Sequence, residues 1–276
     1  MAVESSTKFN IGKGVEIRGA GTSKGMACTA TAAAFTQFPL NTARITATPR
    51  LFATAVVVRM ALNPWLVVLK TTDNMAGYPT DYSNNAQDNS TSTEVDVSSL
   101  STLANGDFLL IGSHIPFRGV YIDVNGTNSA GTATMTSYYW NGGTWVDSSA
   151  TVTGVRTTMI FDKDGIVTWT VPAPWKPLAL KDHYQNLPAE AKAKYYATMP
   201  LYWMRWDVDA AITDTSVTFY AMSAANRSTA YFELAEGQSL SADIQQGVGG
   251  IGCIEAVTDA GTASLVVNAI SKGTFV

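Results

Sequence analysis

Gly21-Thr22-Ser23-Lys24-Gly25 spells the G-x-S-x-G string of a nucleophile elbow, where a sharp strand-to-helix turn exposes a serine hydroxyl. Such an elbow needs a strong strand before it, a helix after it, and a later acid and histidine. Only the short Val15-Glu16-Ile17 precedes this string, and the Thr- and Ala-rich stretch after Gly25 has no helix caps. The two histidines, His114 and His183, stand in no triad context and read as surface or hydrogen-bonded structural residues. Asp162/Asp164 and Asp207/Asp209 each set two carboxylates two residues apart, which on an extended strand turns both to one side. A calcium ion or a glycosidase acid and base would use such oxygens. Turn chemistry in Asp162-Lys163-Asp164-Gly165 and a strand end at Asp207-Val208-Asp209 account for them more simply. Cys28 and Cys253, each among small or apolar neighbours, read as buried thiols, a disulfide between the chain ends being the minor alternative. No close-spaced Cys/His pairs offer a zinc site, and no phosphate-binding or dinucleotide glycine string is present. The expectation is a protein that is not an enzyme, with no catalytic residues, no metal and no cofactor.

Aromatic side chains are the remaining chemical signal. The chain holds 7 Trp, 11 Tyr and 10 Phe, concentrated between Tyr138 and Phe232. Exposed rings on a β-sheet surface stack on sugars; buried rings make core and subunit interfaces. The sequence leaves both readings open.

Composition narrows the class. Only 14% of the 276 residues are charged, against roughly 25% in an ordinary soluble domain, so the polar surface must come from Thr, Ser, Asn and Gly. A net charge of −4 argues against nucleic acid as the main partner. No run of about 18 apolar residues is present to span a membrane. The first residues lack a basic region followed by an apolar core, so no signal peptide is expected and the chain is expected to be made in a cytoplasm.

The elements that would position these residues are strands. Residues 1–50, rich in Gly, Ala and Thr, show no sustained period and read as an extended N-terminal arm. Residues 51–224 carry apolar runs at 8–14-residue spacing, the rhythm of an antiparallel, jelly-roll-like β-sandwich. Residues 225–276 read as a small C-terminal β unit. Tyr138 to Trp145, with Asn141-Gly142-Gly143 between aromatic flanks, predicts a hairpin. In residues 201–208, Tyr202, Met204, Trp206 and Val208 alternate with Trp203, Arg205 and Asp207, and Arg205 is expected to have a carboxylate partner. Val167, Trp169 and Val171 share a face in the same way. Residues 72–93, with many Asp and Asn and almost no aliphatics, read as a long exposed loop of functional or mobile character. One helix is predicted near 188–199, opened by Pro188 and Glu190 and closed by Pro200.

Asn105 to Gly112, Pro116 to Val120, Tyr139 to Trp145, Gly165 to Trp169 and Leu201 to Arg205, in that order, resemble a β-sandwich domain of tailed-bacteriophage virion structural proteins. The likeness covers about 100–221, and its motifs are structural, so no catalytic residue carries over. It implies a location in the virion and two competing roles. The first is capsid decoration or cement. Here an N-terminal arm, with Val3, Phe9, Ile11, Val15, Ile17 and Phe35 as its partner-binding residues, would grip the major capsid protein, and the chain would self-associate, as a trimer in such assemblies. The second is a tail, baseplate or fibre-associated protein that binds host-surface glycans through aromatics such as Trp140 and Trp145 and the 72–93 loop.

Overall fold

In the computed structural model, the described residues are 8–11, 15–18, 21–29, 33–35, 42–52, 54–55, 57–87, 93–98, 100–126, 128, 132–153, 160–212, 216–223, 232–243 and 249–271. The chain is mostly β, in several antiparallel sheets, with three one-turn helices among the described residues. The first six strands are β1 (Lys8–Ile11), β2 (Val15–Arg18), β3 (Gly21–Cys28), β4 (Ala33–Phe35), β5 (Thr42–Phe52) and β6 (Val58–Pro64). Next come β7 (Val67–Thr72), β8 (Thr80–Asp81), β9 (Val95–Asp96), β10 (Asp107–Ser113), β11 (Phe117–Asn125), β12 (Met135–Trp140), β13 (Trp145–Asp147), β14 (Thr151–Thr153), β15 (Gly165–Thr168), β16 (Tyr202–Val208) and β17 (Ser216–Ser223). The last four are β18 (Phe232–Leu234), β19 (Leu240–Asp243), β20 (Ile251–Thr258) and β21 (Ala263–Ser271). The helices are α1 (Leu180–His183), α2 (Ala189–Lys192) and α3 (Tyr195–Thr198).

The chain divides into two units, one of residues 1–62, 225–246 and 253–276, the other of residues 63–224 and 247–252. This differs from the expected division into arm, sandwich and C-terminal unit. In the first unit the strand order β19-β5-β21-β3 puts a C-terminal strand between two N-terminal ones. Ser23 lies opposite Asn268, and Ala47 opposite Val267. Residues 21–28 and 42–52 are therefore sheet strands, and the N- and C-terminal segments build one body. Ile45 and Ala47 of β5 and Leu265, Val267 and Ala269 of β21 are buried, every second residue, as the two-residue period of a strand demands. A second sheet of this unit runs β18-β6-β20-β4, and β1 and β2 form a two-stranded ribbon of their own.

The second unit holds a six-stranded sheet, β13-β12-β16-β10-β7-β8, and a five-stranded sheet, β14-β15-β11-β17-β9. Val68, Leu109, Ile111, Met204 and Trp206 of the former share one apolar cluster with Val95, Phe117, Val120 and Val167 of the latter. The expected faces of residues 201–208 and of Val167, Trp169 and Val171 are those observed. The intervening residues of the six-stranded sheet, Val67, Leu69, Phe108, Leu110 and Trp203, point the other way into a second cluster closed by Leu178, Leu180, Tyr184, Leu187, Ala191, Tyr196 and Ala197. This sheet is therefore apolar on both faces, and β10 is buried at all seven positions. All seven tryptophans lie in this second unit and both cysteines in the first.

The single helix expected near 188–199 is instead α2 and α3, separated at Lys194, whose φ of −72° and ψ of 155° are extended. A continuous helix would set Ala191 and Tyr196 about 140° apart around its axis. The break lets both meet the same cluster. Residues 73–87 of the expected exposed loop are exposed only in part, with Met75, Pro79, Ser83, Ala86 and Gln87 buried. Gln87 accepts from Leu66 N at 2.8 Å and donates to Leu66 O at 2.8 Å and Ser83 O at 2.9 Å, so one buried amide satisfies both backbone groups of a residue outside the strands. The remainder of that segment, 88–92, lies outside the described residues.

Candidate functional site

Arg205 lies on the face of β16 that carries Trp203, opposite Tyr138 of β12 and Leu110 of β10. Its expected carboxylate partner is Asp207, with Nη2 to Oδ2 at 2.8 Å and side chains only 13% and 8% exposed. The guanidinium carbon is 5.0 Å from the Tyr138 ring centre, 5.1 Å from Trp145 and 5.7 Å from Phe108. Cation–π contacts of this kind contribute about 0.5–2 kcal/mol each, more where water is excluded. Arg205 Nε and Asp207 Oδ1 are buried and make no hydrogen bond. Burial raises the Asp207 carboxyl, with Arg205 pulling the other way.

The tight turn at Asn141 brings Trp145 back opposite Trp140. Asn141 Oδ1 accepts from Gly143 N and Thr144 N, both at 2.9 Å, and the hairpin is the one expected. At the end of α1, His183 stands over Trp140, ring centres 4.5 Å apart, and Tyr184 stacks on Phe108 at 6.0 Å. Trp145 Nε1 donates to His183 Nε2 at 3.3 Å, which leaves the imidazole proton on Nδ1. Burial, and after it the Arg205 charge, push the His183 pKa below its ordinary 6.5. The His183 ring is neutral at pH 7. Burial also pushes the Tyr184 phenol up.

Two adjoining clefts open on this cluster. One, of about 430 Å³, is lined by Asp73, Asn74, residues 103–106 and Arg205. The other, of about 300 Å³, is lined by Asn74, His183, Tyr184, Gln185, Asn186 and Arg205. Asn74 and Arg205 belong to both. The rim is held firmly. Asn74 N donates to Gly106 O at 2.8 Å, Met75 is fully buried, and Thr71 Oγ1 ties Asp73 Oδ1 at 2.8 Å and Met75 N at 3.0 Å. Asn74 and Met75 both have positive φ, 56° and 61°, a conformation that costs an ordinary side chain about 1–2 kcal/mol. Gly106 is required beside them. Its φ is 84°, and a Cβ there would stand 2.6 Å from Asn74 N.

The other sequence candidates do not gather here. Gly21 to Gly25 lies within β3, where Ser23 sits mid-strand and not at a strand-to-helix turn. Asp209 bonds Thr134 N and Oγ1, each at 2.6 Å, so it and Asp207 serve separate ends. Asp164 accepts from Val124 N at 2.9 Å. No cluster of three metal-ligating side chains occurs among the described residues. Phe9 lies opposite Ile17 and Ile11 opposite Val15 in the β1–β2 ribbon, and Phe35 lies opposite Ile254. Val3, and the side chains of these five, lie outside the described residues. Sequence reasoning reached the Arg205 carboxylate and the Trp140/Trp145 hairpin. It missed Gln185 and Asn186, and it reached Asn74 only as part of the Asp- and Asn-rich 72–93 loop.

Compared with protein-family models, curated proteins and solved structures, the chain matches none of them.

Proposed function

We propose that the chain is a structural protein of a tailed-bacteriophage virion, a capsid decoration or cement protein that holds the major capsid protein and self-associates. The observation that carries this reading is the β1–β2 ribbon, which among the described residues pairs within itself and with neither four-stranded sheet. A lone two-stranded ribbon is marginal by itself, and pairing or packing on a neighbouring subunit would complete it. Four of the six expected partner-binding residues, Phe9, Ile11, Val15 and Ile17, belong to it. The segments that resemble virion proteins also fall together, in β10, β11, the β12–β13 hairpin, β15 and β16 of one unit.

The test is to mix the full chain, and a variant lacking residues 1–18, with capsids lacking the protein and separately with tails, and to image both. The expected result is density on the shell lattice for the full chain and none for the truncation. Density on tails, or a truncation that attaches like the full chain, overturns the decoration reading.

A second reading, a tail, baseplate or fibre-associated protein that binds host glycans, is favoured by the Arg205 clefts. They set hydrogen-bonding amides beside an aromatic cluster, as saccharide sites do.

A further inference from the structure

We infer that the two clefts sharing Asn74 and Arg205 form one binding site for an uncharged saccharide. The inference rests on the glycan-binding reading and deepens it by assigning the site and the class of sugar. The combined space, about 430 and 300 Å³, is of the size of ordinary small-molecule sites, roughly 300–1,000 Å³. The lining mixes donors and acceptors. The amides of Asn74, Asn105, Gln185 and Asn186 are each both donor and acceptor, Asn105 and Gln185 keeping one N–H after donating to Ser101 Oγ and Asp182 O, which suits hydroxyl groups that both give and accept hydrogen bonds. Leu103 and the Tyr184 and His183 rings supply apolar wall for the C–H face of a sugar ring.

Charge decides against an anion. Among the described residues the one cation lining either cleft is Arg205, and its charge is already met by Asp207 at 2.8 Å. Asp73 adds a carboxylate to the rim of the larger cleft. A carboxylate or phosphate ligand would meet a neutralised guanidinium and a carboxylate on the rim, whereas a neutral polyol loses nothing to either. The strained Asn74–Met75 turn, fixed by Gly106 and by buried Met75, holds the shared wall in one geometry before any ligand arrives.

The experiment is an NMR titration of the ¹⁵N-labelled full chain with D-glucose, D-galactose, N-acetylglucosamine, maltose and D-glucuronate. The resonances followed are the Arg205 Nε–H and the Trp145 indole N–H. At least one neutral sugar is expected to shift both saturably, with glucuronate binding no tighter than glucose. The double variant N74G/N186A removes two lining amides. Glycine accepts the φ of 56° and Asn186 is exposed, so the variant should melt like the parent and bind about tenfold more weakly, the worth of one or two hydrogen bonds. The absence of any saturable shift, tighter binding of the uronate, or undiminished binding by the double variant each overturns the inference. Tail attachment is read separately in the imaging experiment, so a failed titration does not decide where on the particle the chain sits.

Discussion

Replacing Gln87 by leucine would strand the N–H and C=O of Leu66 in the interior with no water to replace the amide. The expected loss is about 3 kcal/mol, read as a lower urea midpoint at unchanged slope. His183 sets a pH dependence of definite sign. Well above pH 6.5 the residue is neutral folded or unfolded. As the pH falls through 6.5 the unfolded chain takes up the proton first, because burial and the Arg205 charge hold the folded value lower. Stability therefore declines until the folded value is passed, and His114, lowered by burial, acts in the same direction. Asp207 and Asp123, raised by burial, act oppositely once the pH nears their own values. His183→Gln keeps an acceptor for Trp145 without a titrating ring, so urea melts between about pH 7.5 and 5.5 should show a flatter decline than the parent. An equal decline would remove His183 from the account.

Among the elements, β10 and β16 carry the sharpest packing constraint. Gly112 lies opposite Trp203, and a Cβ at that position would stand 2.5 Å from the indole. The ring cannot yield, being fully buried with its Nε1 bonded to Leu178 O at 2.9 Å. Gly112→Ala should cost about 1–3 kcal/mol in a thermal or urea melt; an unchanged midpoint would show that the pair relaxes freely. These strands were legible in the sequence because large apolar residues are dense there, as a run in Phe108 to Ile111 and on both faces in Trp203, Met204 and Trp206. The strands β3 and β5 were not, since Thr, Ala and Gly give little contrast between faces. Their partner β21 also lies more than 200 residues further along the chain, where no local pattern reaches. The helix boundary failed for a related reason: Lys194 is a good helix former, and the contacts of Ala191 and Tyr196 with the same cluster favour the break. Of the site, the Arg205–Asp207 pair could be read from one strand. Asn74, Gly106 and Asn186 come from three separate loops, and only the fold brings them to one cleft.

At the scale of the whole molecule, the first unit depends on both ends of the chain. Ending the chain before residue 263 removes the strand between β5 and β3 and should abolish that unit's sheet, whereas removing residues 1–18 should leave it. Amide hydrogen exchange over β5 separates the two outcomes: protection lost in the first variant and kept in the second, with the opposite pattern refuting the shared sheet. The separation of tryptophans from cysteines gives the molecule two native reporters, each confined to one unit. Indole emission follows only residues 63–224, and thiol labelling follows only the other unit. There Cys28 and Cys253 are fully buried, and burial pushes the Cys28 thiol up to about 11, so a disulfide reagent should not react until that unit opens. A single denaturant series, read by emission in one cuvette and by thiol release in another, would show without any engineered label whether the two halves melt in one transition or in two.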